Sequence, residues 1–321
     1  MNLANHVNTF GQSMLNRYGE RVHKISIDAS FTCPNRDGSL GIGGCTFCNN
    51  TSFSPNGREP AEVNQQIDAG KFIIRKRTGA RKYIAYFQAY TNTYAETALL
   101  EQQYNRALAE PNIIGLAVGT RPDCVADSVL DLLVSYQNKG YEVWLELGLQ
   151  SSFDKTLDRV NRGHDFEAYR STLVRARQRN LQVCTHLIIG LPGENEQHYK
   201  TTLDRVLDLG VDGLKLHPLH VVKGTQLANE WRRGEYQPLK LEDYTRIAAD
   251  LIQQTPQNII YHRLTATASE NILLAPSWCA KKWLPLNLIA QELASRHHFY
   301  HPQARSLVDG IHQQKYLNMA G

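Results

Sequence analysis

From residue 24 to about residue 225, short apolar runs alternate with longer amphipathic ones, the pattern of βα units around a parallel sheet. Six runs read as strands: Lys24 to Ala29, Lys82 to Gln88, Ile113 to Gly119, Glu142 to Leu147, Gln182 to Ile189 and Gly213 to Leu219. Between them, stretches such as Tyr94 to Ala109 and Val125 to Lys139 repeat apolar residues at spacings of three and four, which predicts helices. After Gly224 the pattern turns mainly helical, with one further strand candidate at Asn258 to Arg263. The expected organisation is an N-terminal extension (1–23), an α/β core (24–225) and a smaller, mainly helical C-terminal extension (226–321).

Each strand candidate ends in polar or Gly/Pro-rich sequence: FTCPNRDG, QAYTNT, TRPD, QSSFD, GLPGE and HPLHVVKGT. In parallel α/β folds ligands bind at that edge, where loops and helix N-termini converge. Six such edges predict a partial TIM-type (β/α)6 barrel.

The chain of 321 residues, 42% hydrophobic, is long enough to bury one large core or two smaller ones. It has no apolar run of about 18 residues, so no membrane span is expected, and its N-terminal segment lacks a signal-peptide stretch. A cytoplasmic location is therefore expected. The net charge of +4 is compatible with a nucleic-acid partner without demanding one. Basic residues are densest at Lys71, Arg75, Lys76, Arg77, Arg81 and Lys82, with Arg232, Arg233, Lys281, Lys282 and Arg296 scattered later; by default such residues lie on solvated faces.

Six cysteines occupy positions 33, 45, 48, 124, 184 and 279. In a reducing compartment they are not a disulfide framework, and the close group of three suits metal ligation. That group lies in the Gly- and Asn-rich segment SFTCPNRDGSLGIGGCTFCNN, a loop after the first strand, spaced C-x11-C-x2-C. Structural zinc wants four ligands, and the nearest further one is His23, before the strand. Three buried structural cysteines do not suit a Gly-rich loop. An iron–sulfur cluster fits, since three thiolates leave one iron open to another ligand.

A three-cysteine loop after the first strand of a βα barrel, with Phe47 just before the last cysteine, resembles the radical S-adenosylmethionine (SAM) superfamily. Members usually space the ligands C-x3-C-x2-C; the longer gap here is similar to the branch that includes the elongator catalytic subunit. TRPD at 120–123, ELGLQSSFDKTLDRVNRGHD at 146–165, HLIIGLPGE at 186–194 and KLHPLHVVKGT at 215–225 resemble that branch too. With the ending APSWCAKKW, nearly the whole chain looks like the YhcC group.

The resemblance implies a [4Fe–4S] cluster on Cys33, Cys45 and Cys48, with SAM chelating the open iron. One electron, from a donor such as a flavodoxin or ferredoxin, then splits SAM into methionine and a 5′-deoxyadenosyl radical that abstracts hydrogen from substrate. It also implies roles for individual residues. Gln88, Ala89 and Tyr90 stand where the family has a GGE-like motif that meets the SAM amino group through backbone oxygens, although the glycines are absent. Glu146 and Gln150 flank the end of the fourth strand, where a carboxylate suits ribose hydroxyls, and Arg162 matches an arginine that pairs with the SAM carboxylate. His186 replaces an acidic ribose ligand of related enzymes; Ile188, Gly190, Leu219 and His220 mark the adenine environment, with Phe47 beside the cluster. GLPGE at 190–194 carries neither G-x-G-x-x-G nor a Walker lysine, so nucleotide binding there is that of SAM.

The remaining cysteines read first as buried apolar residues. Cys124, which follows TRPD at the active edge, is the candidate catalytic thiol, a substrate-side redox group or hydrogen donor. Three functions compete. The elongator-like motifs and basic residues point to RNA modification, with tRNA as partner and the wobble uridine as target. Shared VNR and GLPG features with oxygen-independent coproporphyrinogen oxidase suggest a small molecule or tetrapyrrole. A non-catalytic Fe–S redox sensor or docking protein is the third.

Overall fold

The computed structural model describes residues 2–49 and 61–300; Met1 and residues 301–321 of the expected terminal extensions lie outside the described residues. Strands β1 (Val22–Ile27), β2 (Lys82–Phe87), β3 (Ile113–Thr120), β4 (Glu142–Gln150), β5 (Gln182–Ile189) and β6 (Gly213–Pro218) form a parallel sheet. After the short β7 (Val221–Val222), β8 (Ile260–Arg263) pairs parallel with β6 and completes a seven-stranded curled half-barrel in the order β1-β2-β3-β4-β5-β6-β8. A final β9 (Leu273–Ala275) pairs antiparallel with β7. The expected α/β barrel is therefore present, with one more strand than the six-unit reading, because 260–263 covers an edge of β6 that would otherwise be unpaired.

Strand alternation gives the curled sheet two apolar faces. Ile25, Ile27, Ala85, Phe87, Leu116, Val118, Leu145, Leu147, Val183 and Leu187 point outward into the main core, against the helices. These include α2 (Val63–Thr78), α3 (Thr97–Leu108), α4 (Asp127–Asn138), α6 (Phe166–Gln178), α7 (Glu196–Asp208) and α9 (Leu241–Gln254). The intervening residues Val22, Ile84, Tyr86, Ala117, Trp144, Cys184 and Ile260 face the lumen and form a second core. Phe10 and Met14 of α1 (Phe10–Tyr18) join this inner core, so α1 plugs the end of the barrel where the strands begin. Glu142 fixes the plug: both its oxygens accept from Arg17, at 2.7 and 2.6 Å, while Tyr18 and Trp144 each donate to one of them.

The sheet does not close on itself, since β1 and β8 are its two ends. The N-terminal segment bridges toward β8 instead: Tyr261 N–H donates to the Asn8 carbonyl at 2.7 Å, and the Asn8 amide donates to the carbonyls of Gln257 and Asn258. No helix among the described residues is long and apolar enough to cross a membrane.

Where β3 meets β4, a Cβ on Gly115 would lie 1.9 Å from the Glu142 carbonyl oxygen, so Gly115→Ala must push two core strands apart. It should cost about 1–3 kcal/mol. Gly11, in α1, has nothing within 4 Å of the equivalent position. Gly11→Ala should be neutral or stabilising by up to about 1 kcal/mol. Urea unfolding of both variants checks the contrast, and equal stabilities would contradict the strand packing.

Candidate active site

The loop after β1 carries the cysteine triplet. Cys33 O accepts from the N–H groups of Arg36 and Asp37 at 2.8 and 3.1 Å, and Cys48 N–H donates to Cys45 O at 2.9 Å, two tight turns that fix the backbone around the thiols. The thiols are near enough to act on one another. Burial pushes the Cys48 thiol up to about 11; Cys45 and Cys33 add to the rise and Arg36 opposes it. Three thiolates carried by one loop can each take a different iron of a cluster and leave one iron open.

A second loop holds the first in place. Asn35 Nδ2 donates to Asn161 O at 2.5 Å and contacts Cys45 Sγ at 3.7 Å, while Asn161 Nδ2 donates to Gly44 O at 2.8 Å. Thr46 is pinned on both sides, donating to Val160 O at 3.0 Å and accepting from Leu227 N–H at 2.9 Å, where α8 (Gln226–Arg232) begins. Arg162 extends from this loop to Cys45 Sγ at 3.5 Å and to Gly148 O at 2.6 Å. Its own carbonyl accepts from Arg121, whose guanidinium also grips Asp123 through two hydrogen bonds. Gly148 and Gly163 make room: a Cβ on either would stand 2.9 Å from Arg162 Nη2 or from Asn35 Oδ1. Buried polar atoms without partners mark the same edge, among them Arg162 Nε, Asn35 Oδ1, Asn92 Oδ1 and His220 Nδ1. Buried groups of this kind are normally satisfied, so they fit a site built for a polar ligand.

The other expected site residues divide between this edge and the lumen. Gln150, at a positive φ of 80°, lies with Arg162 around Gly148 at the end of β4. Gln88, Ala89 and Tyr90 follow β2 at the same edge, with Gln88 Oε1 accepting from Ser26. Ile188 and Leu219 share one apolar cluster, against which Phe47 packs, an apolar wall between the cysteine loop and the ends of β5 and β6. His220 follows β6, buried and held neutral by that burial. Cys124 ends a short turn after β3; burial raises its thiol to about 12, Asp123 adds to that and Arg121 counters it, with a smaller effect from Cys33. Cys184 faces the lumen and Cys279 lies in the main core.

Glu146 is placed differently from a ribose ligand. It is fully buried in the lumen, and both its oxygens are taken: Oε1 by Lys24 at 2.5 Å and His262 at 3.4 Å, Oε2 by Lys215 and by His186 at 2.9 Å. Lys215 also donates to the Tyr86 hydroxyl at 2.8 Å, and Lys24 Nζ lies 2.8 Å from the His262 Nδ1 that faces Oε1. Burial works against the charge on Glu146, but Lys215 and Lys24 outweigh it and hold the carboxyl well below the usual range. His186, expected beside ribose, is a partner of this carboxylate; burial lowers its pKa to about 4, so the neutral ring donates through Nε2. Glu146, Cys184 and His186 are spaced to hold a metal ion, but the two lysines on the carboxylate disfavour a cation there.

Fold and site together define an iron–sulfur barrel with a SAM-type edge. The chain belongs to the radical SAM superfamily, whose family model matches residues 32–206, with the Radical_SAM C-terminal domain matching 211–295. It is 51% identical to Protein YhcC of Escherichia coli (strain K12) over 283 residues, 88% of this chain and 91% of that protein. A tRNA uridine(34) acetyltransferase of Methanocaldococcus jannaschii is 29% identical over 154 residues, 47% of this chain and 28% of that one. Among solved structures, the archaeal Methanocaldococcus infernus Elp3 superposes with a TM-score of 0.64 at 18% identity, covering 86% of this chain and 63% of that one. The chain is an enzyme of this superfamily, and its cofactors are a [4Fe–4S] cluster and SAM.

Sequence reasoning missed Asn35, Arg121 and Asn161 at the edge, and Lys24, Tyr86, Lys215 and His262 in the lumen. A signal for the lysines existed. Lys24 and Lys215 alternate with isoleucine or leucine, in KISI and LKLH, and a polar residue recurs two positions on, the period-2 mark of a second, polar face.

The lumen makes the protein acid-sensitive. His186 titrates near 6.5 when unfolded and near 4 when folded, so the unfolded chain binds more protons between those values. The stability its neutral form contributes is full above pH 6.5 and is lost as pH falls toward 4. It amounts to roughly 3 kcal/mol. Urea midpoints between pH 7.5 and 4.5 should fall, and fall less steeply in His186→Gln; parallel profiles would show that the ring does not titrate this way.

Proposed function

We propose that this enzyme cleaves SAM reductively at the cluster held by Cys33, Cys45 and Cys48 and directs the resulting chemistry at a nucleoside in RNA, the wobble uridine of tRNA. The observation that carries the first half is the proximity of the three thiols to one another, with Arg162 on Cys45, at the edge where β4, β5 and β6 end. When bound, the cluster and SAM supply a 5′-deoxyadenosyl radical, formed with one electron from a flavodoxin or ferredoxin. The chain's own residues bind and orient. Arg162 Nη1 donates to Cys45 Sγ, and its buried Nε points a free donor at the same edge, suited to a carboxylate. Gln150 and the backbone after β2 offer acceptors and donors to an amino acid end. Phe47, Ile188 and Leu219 give an adenine ring an apolar wall. Substrate enters the lumen from this edge, opposite the α1 plug.

The RNA half is supported by charge. Lys71 is paired with Asp68 and Glu110, and Lys82 with Glu20. Among the described residues, Arg75, Lys76, Arg77 and Arg81, in the last turn of α2 and just beyond it, have no acidic partner, which suits phosphate contact. Their field continues toward the barrel: Arg77 acts on His23 and on Lys282, which also feels Arg263. The similarity to the tRNA uridine(34) acetyltransferase adds to this reading. An RNA substrate of this kind and a flavodoxin or ferredoxin donor both place the enzyme in the cytoplasm.

Anaerobically reconstituted protein should form 5′-deoxyadenosine with dithionite, and Cys33→Ala, Cys45→Ala and Cys48→Ala should each lose it together with the visible cluster absorbance. Undiminished cleavage in any of them would remove the assignment. Binding of total tRNA should weaken steeply between 50 and 200 mM salt (concentrations on the scale where counterion release acts). Arg75→Gln/Arg77→Gln should then weaken it about tenfold and flatten the salt slope. Absence of tRNA binding with SAM cleavage intact would assign the chemistry to a small molecule.

A further inference from the structure

The lumen carries more positive than negative charge, and its excess lies where substrate enters. Among the described residues, three cations act there, Lys24, Lys215 and Arg263, against the one carboxylate of Glu146. Glu146 is already used by both lysines. Arg263 is half-buried and, among the described residues, has neither an acidic partner nor a hydrogen-bond acceptor. Its charge is felt by Tyr86, Lys215, His186 and His217, all on inward-facing positions. Beside it His217 is half-buried, stacks on His186 at 5.7 Å between ring centroids, and leaves its buried Nε2 without a partner.

A register shift aims the arginine. β6 and β8 pair Leu214 with Tyr261 but Lys215 with Arg263, so β8 carries one extra residue, His262, between them. In an unbroken strand His262 and Arg263 would face opposite sides of the sheet; the bulge turns both inward. Gly213 accommodates the result, since a Cβ there would lie 3.0 Å from His262 Nε2. The chain thus departs from regular pairing to direct a guanidinium without a counter-ion into a lumen that already has a surplus of positive charge. Such a charge is unfavourable unless something compensates it.

From this geometry we infer that the lumen binds the anionic group of the substrate, a phosphate or a carboxylate, on Arg263 and His217. Arg263 presents its planar fork to two oxygens and the unpartnered His217 nitrogen meets a third polar atom, while the Lys24–Glu146–Lys215 network holds the floor rigid. The inference rests on the reading that substrate enters this lumen. A phosphate would belong to a nucleotide, whether free or within RNA, and a carboxylate to a small organic acid.

The test uses reconstituted holoprotein with SAM bound, titrated calorimetrically at low ionic strength with inorganic phosphate and, separately, with acetate. Saturable binding of one ligand per chain is expected, and the preferred anion identifies the source. Arg263→Gln should weaken it at least about tenfold, Arg263→Lys should restore part of it, and the exterior variant Arg170→Gln, on the exposed face of α6, should leave it unchanged. Iron content and circular dichroism confirm that the variants fold. No saturable binding of either anion, or equal weakening by Arg263→Gln and Arg170→Gln, overturns the inference. SAM cleavage by the same preparation separates the two claims: cleavage without anion binding refutes only the anion site, and Arg263-dependent anion binding without cleavage refutes only the radical chemistry.

Discussion

One buried carboxylate holds the barrel interior together. Glu146, on β4, is bonded to side chains of β1, β5, β6 and β8, which brings the two unpaired ends of the sheet into one network through Lys24 and His262. Backbone hydrogen bonds give the half-barrel its curl but not its closure, because β1 and β8 do not pair. Closure falls to side chains: the charge cluster in mid-lumen, the aromatic contacts of Phe10 with Trp144 and His262 below it, and the Asn8 contacts at the rim. A buried ion pair is often no more stable than an apolar replacement, but removing one partner strands the other charges, at a cost of about 3–5 kcal/mol. The lumen therefore tolerates concerted change and resists single substitutions.

The cysteine loop follows other rules. It has no regular secondary structure and is fastened by individual hydrogen bonds from Asn35, Thr46 and Asn161, with Arg162 and Arg121 behind them. Asn161 and Arg162 come from the VNRG segment and Arg121 follows β3, so strand geometry is carried to the cysteine loop, with its own Asn35, through two asparagines and two arginines. Glycines at 148 and 163 keep that path open. Positions that look dispensable in sequence are thus the ones that set the spacing of the ligands.

How far the chain could be understood before its structure depended on the kind of signal. The strands from Lys82 onward were legible because apolar runs of five to nine residues stand out, and their ends moved by no more than a few residues. β8 was visible only as a short run in a helical region, since a four-residue edge strand has too few positions to show periodicity. The ligand triplet was legible from spacing and loop composition. Glu146 was noticed for its place at a strand end, but its lumen partners come from three distant strands and a one-residue bulge that no local pattern announces. Cys124 was singled out by sequence for its neighbours, and the structure sets it next to Arg121, near Cys33.

The contact between Lys24 and His262 spans 238 residues of chain. During synthesis, most of the barrel leaves the ribosome before the strand that completes it, and until then the lumen has an open side and Glu146 lacks part of its shell. A nascent chain in that state cannot enclose a reactive species. The order of translation thus acts as an interlock: the compartment in which a radical would be confined comes into being only after β8 arrives.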